Sequence, residues 1–320
     1  MRKKFPLLIL IVTLLTSCIL ISCDRTQPQL TIATSKWPGY AFISLAKQEG
    51  WLADKNIKIV EKNSATEILE ALKSGQVMGS ALTMDEVLRV REQGIPLQVV
   101  MVFNKSAGGD ALIVKKSVKH LSELKGMRIG LELSAVGALM LYKILDKANL
   151  NEIDVELVDT TIDQQLDGWK KDKFDAVITY EPVASQIEQM GGYRLLDTRA
   201  MPGLILDVLA VRADIASNYT DELRHLTQSH FRALKRMQTH PQDTAYRLAE
   251  HLGLNGNEVQ AAFRGMVLPD LATNRRYLSN KGNVLTTAHD ISAILLKNNL
   301  LSKKADLTNF VSAHYLPVEP

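Results

Sequence analysis

Three carboxylates, Asp110, Glu181 and Asp207, and three rings, Trp37, Tyr40 and Tyr180, stand where the chain leaves or enters predicted strands. Carboxylates in such places suit a ligand carrying an amine, an amidine or a ring N–H, because hydrogen bonds to an ionised acceptor are short and strong. Each also has a structural reading: Asp110 holds a turn, Glu181 caps the helix that starts at Pro182, and Asp207 pairs with a basic residue. The turn Trp37-Pro38-Gly39-Tyr40 follows the first strand, and its glycine lets backbone approach a ligand. Its two rings either wall a ligand site or plug a packing surface. Tyr180, beside Glu181, offers a third ring. Two hydroxyls stand at predicted helix starts. Ser134, with the N–H groups of Ala135 and Val136, either holds an oxyanion or only caps its helix, and Thr83 poses the same choice.

These side chains need strand ends to hold them, and the hydrophobic pattern supplies such ends. Apolar segments at Leu30 to Ala33, Ile57 to Val60, Ser80 to Leu82 and Leu97 to Phe103 read as strands, the last covered on both faces. Between them lie helices that carry Phe42, Leu45 and Ala46, then Ile68, Leu69 and Leu72, then the segment ending at Gly94. Ser64 with Glu67, and Thr83 with Glu86, predict capping boxes. This is a βαβα pattern with parallel strands. A second block has strands at Ala111 to Val114, Met127 to Leu131, Val155 to Val158, Ala176 to Thr179 and Tyr193 to Leu196, with helices between. Leu204 to Val211 is again strand-like, and from Thr220 onward the pattern is almost all helical, so this third is expected to pack back on the first block.

The N-terminus states where the chain works. Arg2, Lys3 and Lys4 precede 17 uncharged residues from Phe5 to Ile21, which is the pattern of a secretory signal. The same length also suits an uncleaved membrane anchor. The stretch Leu20-Ile21-Ser22-Cys23 resembles the bacterial lipobox, whose cysteine is lipidated and becomes the new N-terminus. Leu15-Thr16-Ser17-Cys18 is a second match; cleavage there would leave Ile19-Leu20-Ile21 exposed, so Cys23 is the preferred site. Asp24, directly after it, resembles the signal that keeps Gram-negative lipoproteins on the inner membrane. Residues 1–22 are then the signal peptide and 23–29 a linker.

Removing the signal lowers the formal net charge from +3 to zero, leaving no basic excess for nucleic acid. Both cysteines of the chain lie in the export segment, so the mature part forms no internal disulfide and depends on a packed core. With 46% hydrophobic residues over the chain and about 290 residues from the first strand on, that core suits two lobes.

Several segments together resemble the nitrate/sulfonate/taurine family of ABC-importer substrate-binding proteins: Ser35-Lys36-Trp37-Pro38-Gly39-Tyr40, Ala46-Lys47-Gln48-Glu49-Gly50-Trp51, Ala71-Leu72-Lys73-Ser74-Gly75, Ser106-Ala107-Gly108-Gly109-Asp110, Leu124-Lys125-Gly126 and Tyr180-Glu181-Pro182. The likeness covers roughly residues 30 to 212, and residues 220 to 320 carry only a loose one. Met78 replaces the aspartate usual after the Ser-Gly-x-Val run. The resemblance implies a type II periplasmic binding protein, two α/β lobes joined by two crossovers with the ligand between them. The crossovers are expected near Asp110 to Leu112 and Leu204 to Leu209. Lobe one is then 30–111 with 206–320, and lobe two 112–205.

The function this implies is capture of a small nitrogen- or sulfur-containing solute, such as an aminosulfonate or a pyrimidine, by a lipid-anchored monomer on the periplasmic side of the inner membrane. An ABC permease is the partner. A ligand sensor that regulates a membrane receptor is the second reading, and neighbouring permease and ATPase genes distinguish the two. A third is an enzyme like the pyrimidine synthases of thiamine biosynthesis, which share the fold but use reactive His and Cys residues. No metal or cofactor is expected: His225 and His230 are five residues apart rather than the four that place two ligands on one helix face. Ser122-Glu123-Leu124-Lys125 lacks the companion motifs of a serine acylase, and there is no phosphate-binding loop of an ATPase.

Overall fold

The computed structural model describes residues 27–279 and 281–319. The signal segment, Cys18, Cys23 and Asp24 therefore lie outside the described residues. Strands β1 (Leu30–Thr34), β2 (Ile57–Glu61) and β3 (Gly79–Thr83) alternate with helices α1 (Ala41–Gln48), α2 (Ala65–Lys73) and α3 (Met84–Glu92). β1 runs parallel to both β2 and β3. Ser64 caps α2 by accepting the Glu67 N–H at 3.2 Å, while the Glu67 carboxylate reaches Asn63 N–H instead of closing the box on Ser64. β4 (Leu97–Ser106) is buried along nearly its whole length, as its unbroken apolar run requires.

The chain passes to a second sheet through Ala107, Gly108 and Gly109. There β5 (Asp110–Lys115), β6 (Arg128–Leu131), β7 (Glu156–Asp159), β8 (Ala176–Tyr180) and β9 (Gly192–Asp197) are ordered β7-β6-β8-β5-β9. Helices α4 (Val136–Ala148), α5 (Ile162–Lys170) and α6 (Val183–Gln189) connect them. The return runs from Thr198 to Ile205 into β10 (Leu206–Arg212), which pairs antiparallel with β3 and β4. Asp110 is already part of the second sheet, so the first passage lies just before the expected 110–112.

The last third contributes α7 (Thr220–Thr239), α8 (Pro241–Leu252), α9 (Gly256–Phe263), a two-residue β11 (Met266–Val267), α10 (Leu271–Tyr277) and α11 (Asn283–Lys297). With β11 added to its edge, the first sheet reads β11-β4-β10-β3-β1-β2. This third packs on the first lobe: Phe42 of α1 stacks on Phe263 of α9 at 5.2 Å and meets the ring of His230 of α7 at 5.6 Å. The wholly apolar surroundings of His230 push its imidazole down to about 3, so it is a neutral core residue.

Candidate functional site

Sheet register brings the polar residues of lobe one into one row. Asp207, at the start of β10, lies opposite Thr83 at the end of β3 and opposite Asn104 of β4. Paired residues share a sheet face, so their side chains meet. Asn104 donates to Asp207 Oδ2 at 2.7 Å, and the Tyr40 hydroxyl donates to Oδ1 at 2.6 Å. Trp37, just beyond the carboxyl end of β1, donates its indole N–H to Asn104 at 3.0 Å. Gly39 is needed at this turn: a Cβ there would sit 1.8 Å from Asn104 Oδ1.

Lobe two faces this row with Asp110 at the start of β5 and Tyr180 at the end of β8, which are direct sheet partners. The Tyr180 ring meets Trp37 edge to face at 5.6 Å, so the two rings touch across the lobes. Together with Ser35, Thr83, Glu86 and Val136, the residues Trp37, Tyr40, Asp110, Tyr180 and Asp207 line a cavity of about 30 Å³. It lies beyond the carboxyl ends of β1, β3 and β8, the position at which open α/β sheets bind ligands. Of the sequence-derived candidates, Trp37, Tyr40, Thr83, Asp110, Tyr180 and Asp207 are gathered on this cavity.

Glu181 and Ser134 are not among its lining residues. The Glu181 carboxylate accepts from Arg194 at 2.8 Å and from the Ser185 N–H at 3.2 Å, so it neutralises a cation and holds the start of α6. Ser134 is not a helix cap, because α4 begins later with Ala135 at its N-cap. Its hydroxyl instead lies 2.5 Å from the Thr66 hydroxyl of lobe one. Thr83 caps α3 only in part: its N–H donates to Glu86 at 2.9 Å, but its hydroxyl donates to Asp85 at 2.8 Å.

Three acidic residues emerge that strand-end reasoning did not single out. Asp85 and Glu86 follow Thr83 after the intervening Met84, and Glu132 follows β6; each is buried. The signal was present as two adjacent acids one residue after a buried strand, a costly arrangement in a helix start facing a core. Burial raises all of these carboxyls. It lifts Asp110 to about 7, with the neighbouring Glu181 and Asp85 charges adding to it. Glu86 is pushed up to about 8 by burial and then by Asp85. Burial, followed by the Asp110 charge, holds Asp207 well above the usual carboxylate range.

The lobes are tied shut at the opposite rim. Glu132 of lobe two accepts the Thr66 N–H at 2.7 Å and the Thr66 hydroxyl at 2.5 Å, both from the first turn of α2. Arg89 of α3 donates to the carbonyls of Leu133 and Ala135.

Two α/β lobes, two chain passages and a cavity beyond converging strand ends define a two-lobed binding protein. The NMT1/THI5-like family model matches residues 37–244, and the chain belongs to that family. The taurine-binding periplasmic protein of Escherichia coli (strain K12) is 24% identical over 226 residues, covering 68% of this chain and 69% of that protein. The fold is shared with the alkanesulfonate-binding protein SsuA from Xanthomonas axonopodis pv. citri bound to MOPS, at a TM-score of 0.77 and 18% identity, over 89% of this chain and 98% of that one. The nitrate-binding protein NrtA from Synechocystis PCC 6803 superposes at a TM-score of 0.72 with 11% identity, over 91% of this chain and 87% of that one.

Proposed function

We propose that this chain is the substrate-binding lipoprotein of an ABC importer, capturing a small nitrogen- or sulfur-containing organic solute between its lobes. The observation that carries the reading is the cavity itself: aromatic walls from Trp37, Tyr40 and Tyr180 and carboxyls from both lobes converge on one space between the lobes. The protein is a binder and not an enzyme, in keeping with the named role of its taurine-binding relative. The mechanism is capture in an open cleft, rotation of the lobes about the passages at 107–109 and 198–205, and release to a permease. Closure removes the ligand from water and strengthens its polar contacts.

The site in this reading consists of Trp37, Tyr40, Thr83, Asp110, Tyr180 and Asp207. Lipidation at Cys23 anchors a monomer on the periplasmic side of the inner membrane, where a two-chain anchor is stable. Native mass spectrometry of the protein purified from its own cells tests the capture role. A single small molecule held at one per chain is expected; a protein that carries none and binds none removes the reading.

A further inference from the structure

At two helix starts beside the cleft, carboxylates occupy donors that an anion would need. Anion sites in α/β folds rely on free N–H groups at helix N-termini. Here, at the two lobe-one helices that open on the cavity, one N–H group each, that of Thr66 and that of Thr83, is taken by the chain's own carboxylates. At α2, Glu132 reaches across from the other lobe to the N–H and hydroxyl of Thr66. At α3, Glu86 turns back on the Thr83 N–H, and Asp85 takes the Thr83 hydroxyl. A sulfonate or nitrate entering would meet carboxyl oxygens at these positions in place of free N–H donors.

The same cavity presents an acceptor with nothing to accept. Asp110 is 3% exposed and lines the cavity, yet among the described residues its Oδ2 has no hydrogen-bond partner. Glu86 and Asp207 share the wall, and no lysine or arginine is among the cavity's described lining residues. Both Asp207 oxygens are already engaged, by Tyr40 and Asn104, so Asp110 Oδ2 is the fully buried carboxyl oxygen of the wall that lacks a partner among the described residues. The rings of Trp37 and Tyr180 line the same cavity, and aromatic faces attract cations.

We infer that the ligand is an organic cation, an ammonium or amidinium whose N–H donates to Asp110 Oδ2, and that sulfonates and other anions are excluded. The inference rests on the capture role proposed above and narrows it to one charge class.

Calorimetry on the full mature chain, with benzamidine and benzenesulfonate as ring-matched probes of opposite charge and taurine alongside, tests it. Benzamidine is expected to bind, and Asp110→Asn to weaken it by about ten- to a hundred-fold, the loss of a charged hydrogen bond. Glu132→Ala, which frees the first turn of α2, is expected to give benzenesulfonate an affinity the parent lacks, a gain that misfolding cannot produce. Benzenesulfonate or taurine binding the parent as tightly as benzamidine overturns the inference, as does an unchanged affinity in Asp110→Asn. If no probe binds, the molecule that co-purifies decides: a cation supports the inference, and an anion or a neutral compound sinks it while leaving the capture role intact. A protein that holds nothing at all removes the capture role, and the charge class with it.

Discussion

Asp110 is the residue at which stability and binding pull in opposite directions. Its folded carboxyl is raised to about 7 from an ordinary 3.8, so the folded state holds the proton more tightly than the unfolded chain. The contribution to stability is then greatest below the unfolded value and is lost as pH rises from about 4 through 7. Glu86, raised to about 8, extends the loss upward. Thermal melts of the ligand-free protein are therefore expected to fall between pH 5 and 8.5. Asp110→Asn should flatten the lower part of that slope and stabilise the ligand-free protein at pH 8 by about 1 to 3 kcal/mol, since it removes a buried charge whose Oδ2 has no hydrogen-bond partner. A variant less stable than the parent at pH 8 counts against an unpaired carboxylate there. Trp37 tests the aromatic wall: ligand should shift the tryptophan emission, and Trp37→Phe should abolish most of the shift and weaken binding by about 1 kcal/mol. Full affinity and a full shift in that variant mean that the ring only packs. Its near-complete burial, with Asn104 on its indole N–H, differs from the open cleft mouth its sequence position evokes, because lobe contact with Tyr180 covers it.

Among the elements, the passage Ala107–Gly109 and the first turn of α2 set how the lobes move. Ala107 and Gly109 both donate to the Gly265 carbonyl, at 2.9 and 3.0 Å, and the Gly108 N–H donates to the Thr198 hydroxyl of the return passage at 2.7 Å. The two passages are thereby clamped to each other. Gly108 has φ of 119°, a conformation that side chains rarely adopt, so Gly108→Ala should cost about 1 to 3 kcal/mol in urea unfolding. A cost near zero means the passage relaxes freely. At the opposite rim, Thr66→Val deletes one of the two donors to Glu132 and the contact to Ser134. Loss of one hydrogen bond to a charged group, about 1.5 to 3 kcal/mol, shifts the open-to-closed ratio more than ten-fold. Small-angle scattering of the ligand-free variant should show a larger radius of gyration than the parent, and identical curves would show that the rim contact does not hold the lobes.

For the whole molecule, the proposal couples a ligand cleft to a membrane tether. Cys23→Ser should release the protein from the membrane fraction and abolish palmitate labelling. Persistent labelling moves the lipid to Cys18. The neutral formal charge of the mature chain fits this tethered role, since it gives no field to bind the membrane surface directly.

The alternation of short apolar strands with capped helices was enough to determine the α/β class, the element order and the helical last third. These are local properties, fixed by side-chain period, capping residues and glycine stops. Trp37, Tyr40, Asp110, Tyr180 and Asp207 were also legible as candidates, because strand ends are where this class of fold builds its sites. Which of them share a space was decided by tertiary structure. Glu181 looked equivalent to Asp207 by position, but β9 brings Arg194 against it and leaves Asp207 with only neutral donors. Ser134 looked like a helix cap, but α4 takes Ala135 as its N-cap and the Ser134 hydroxyl meets Thr66 of the other lobe instead. Glu132 acquired its meaning only where it meets Thr66 of the other lobe. The charge of a cleft is a sum over residues far apart in sequence, and only the pairing of sheets and lobes determines which carboxylates are neutralised and which one is left to accept a ligand.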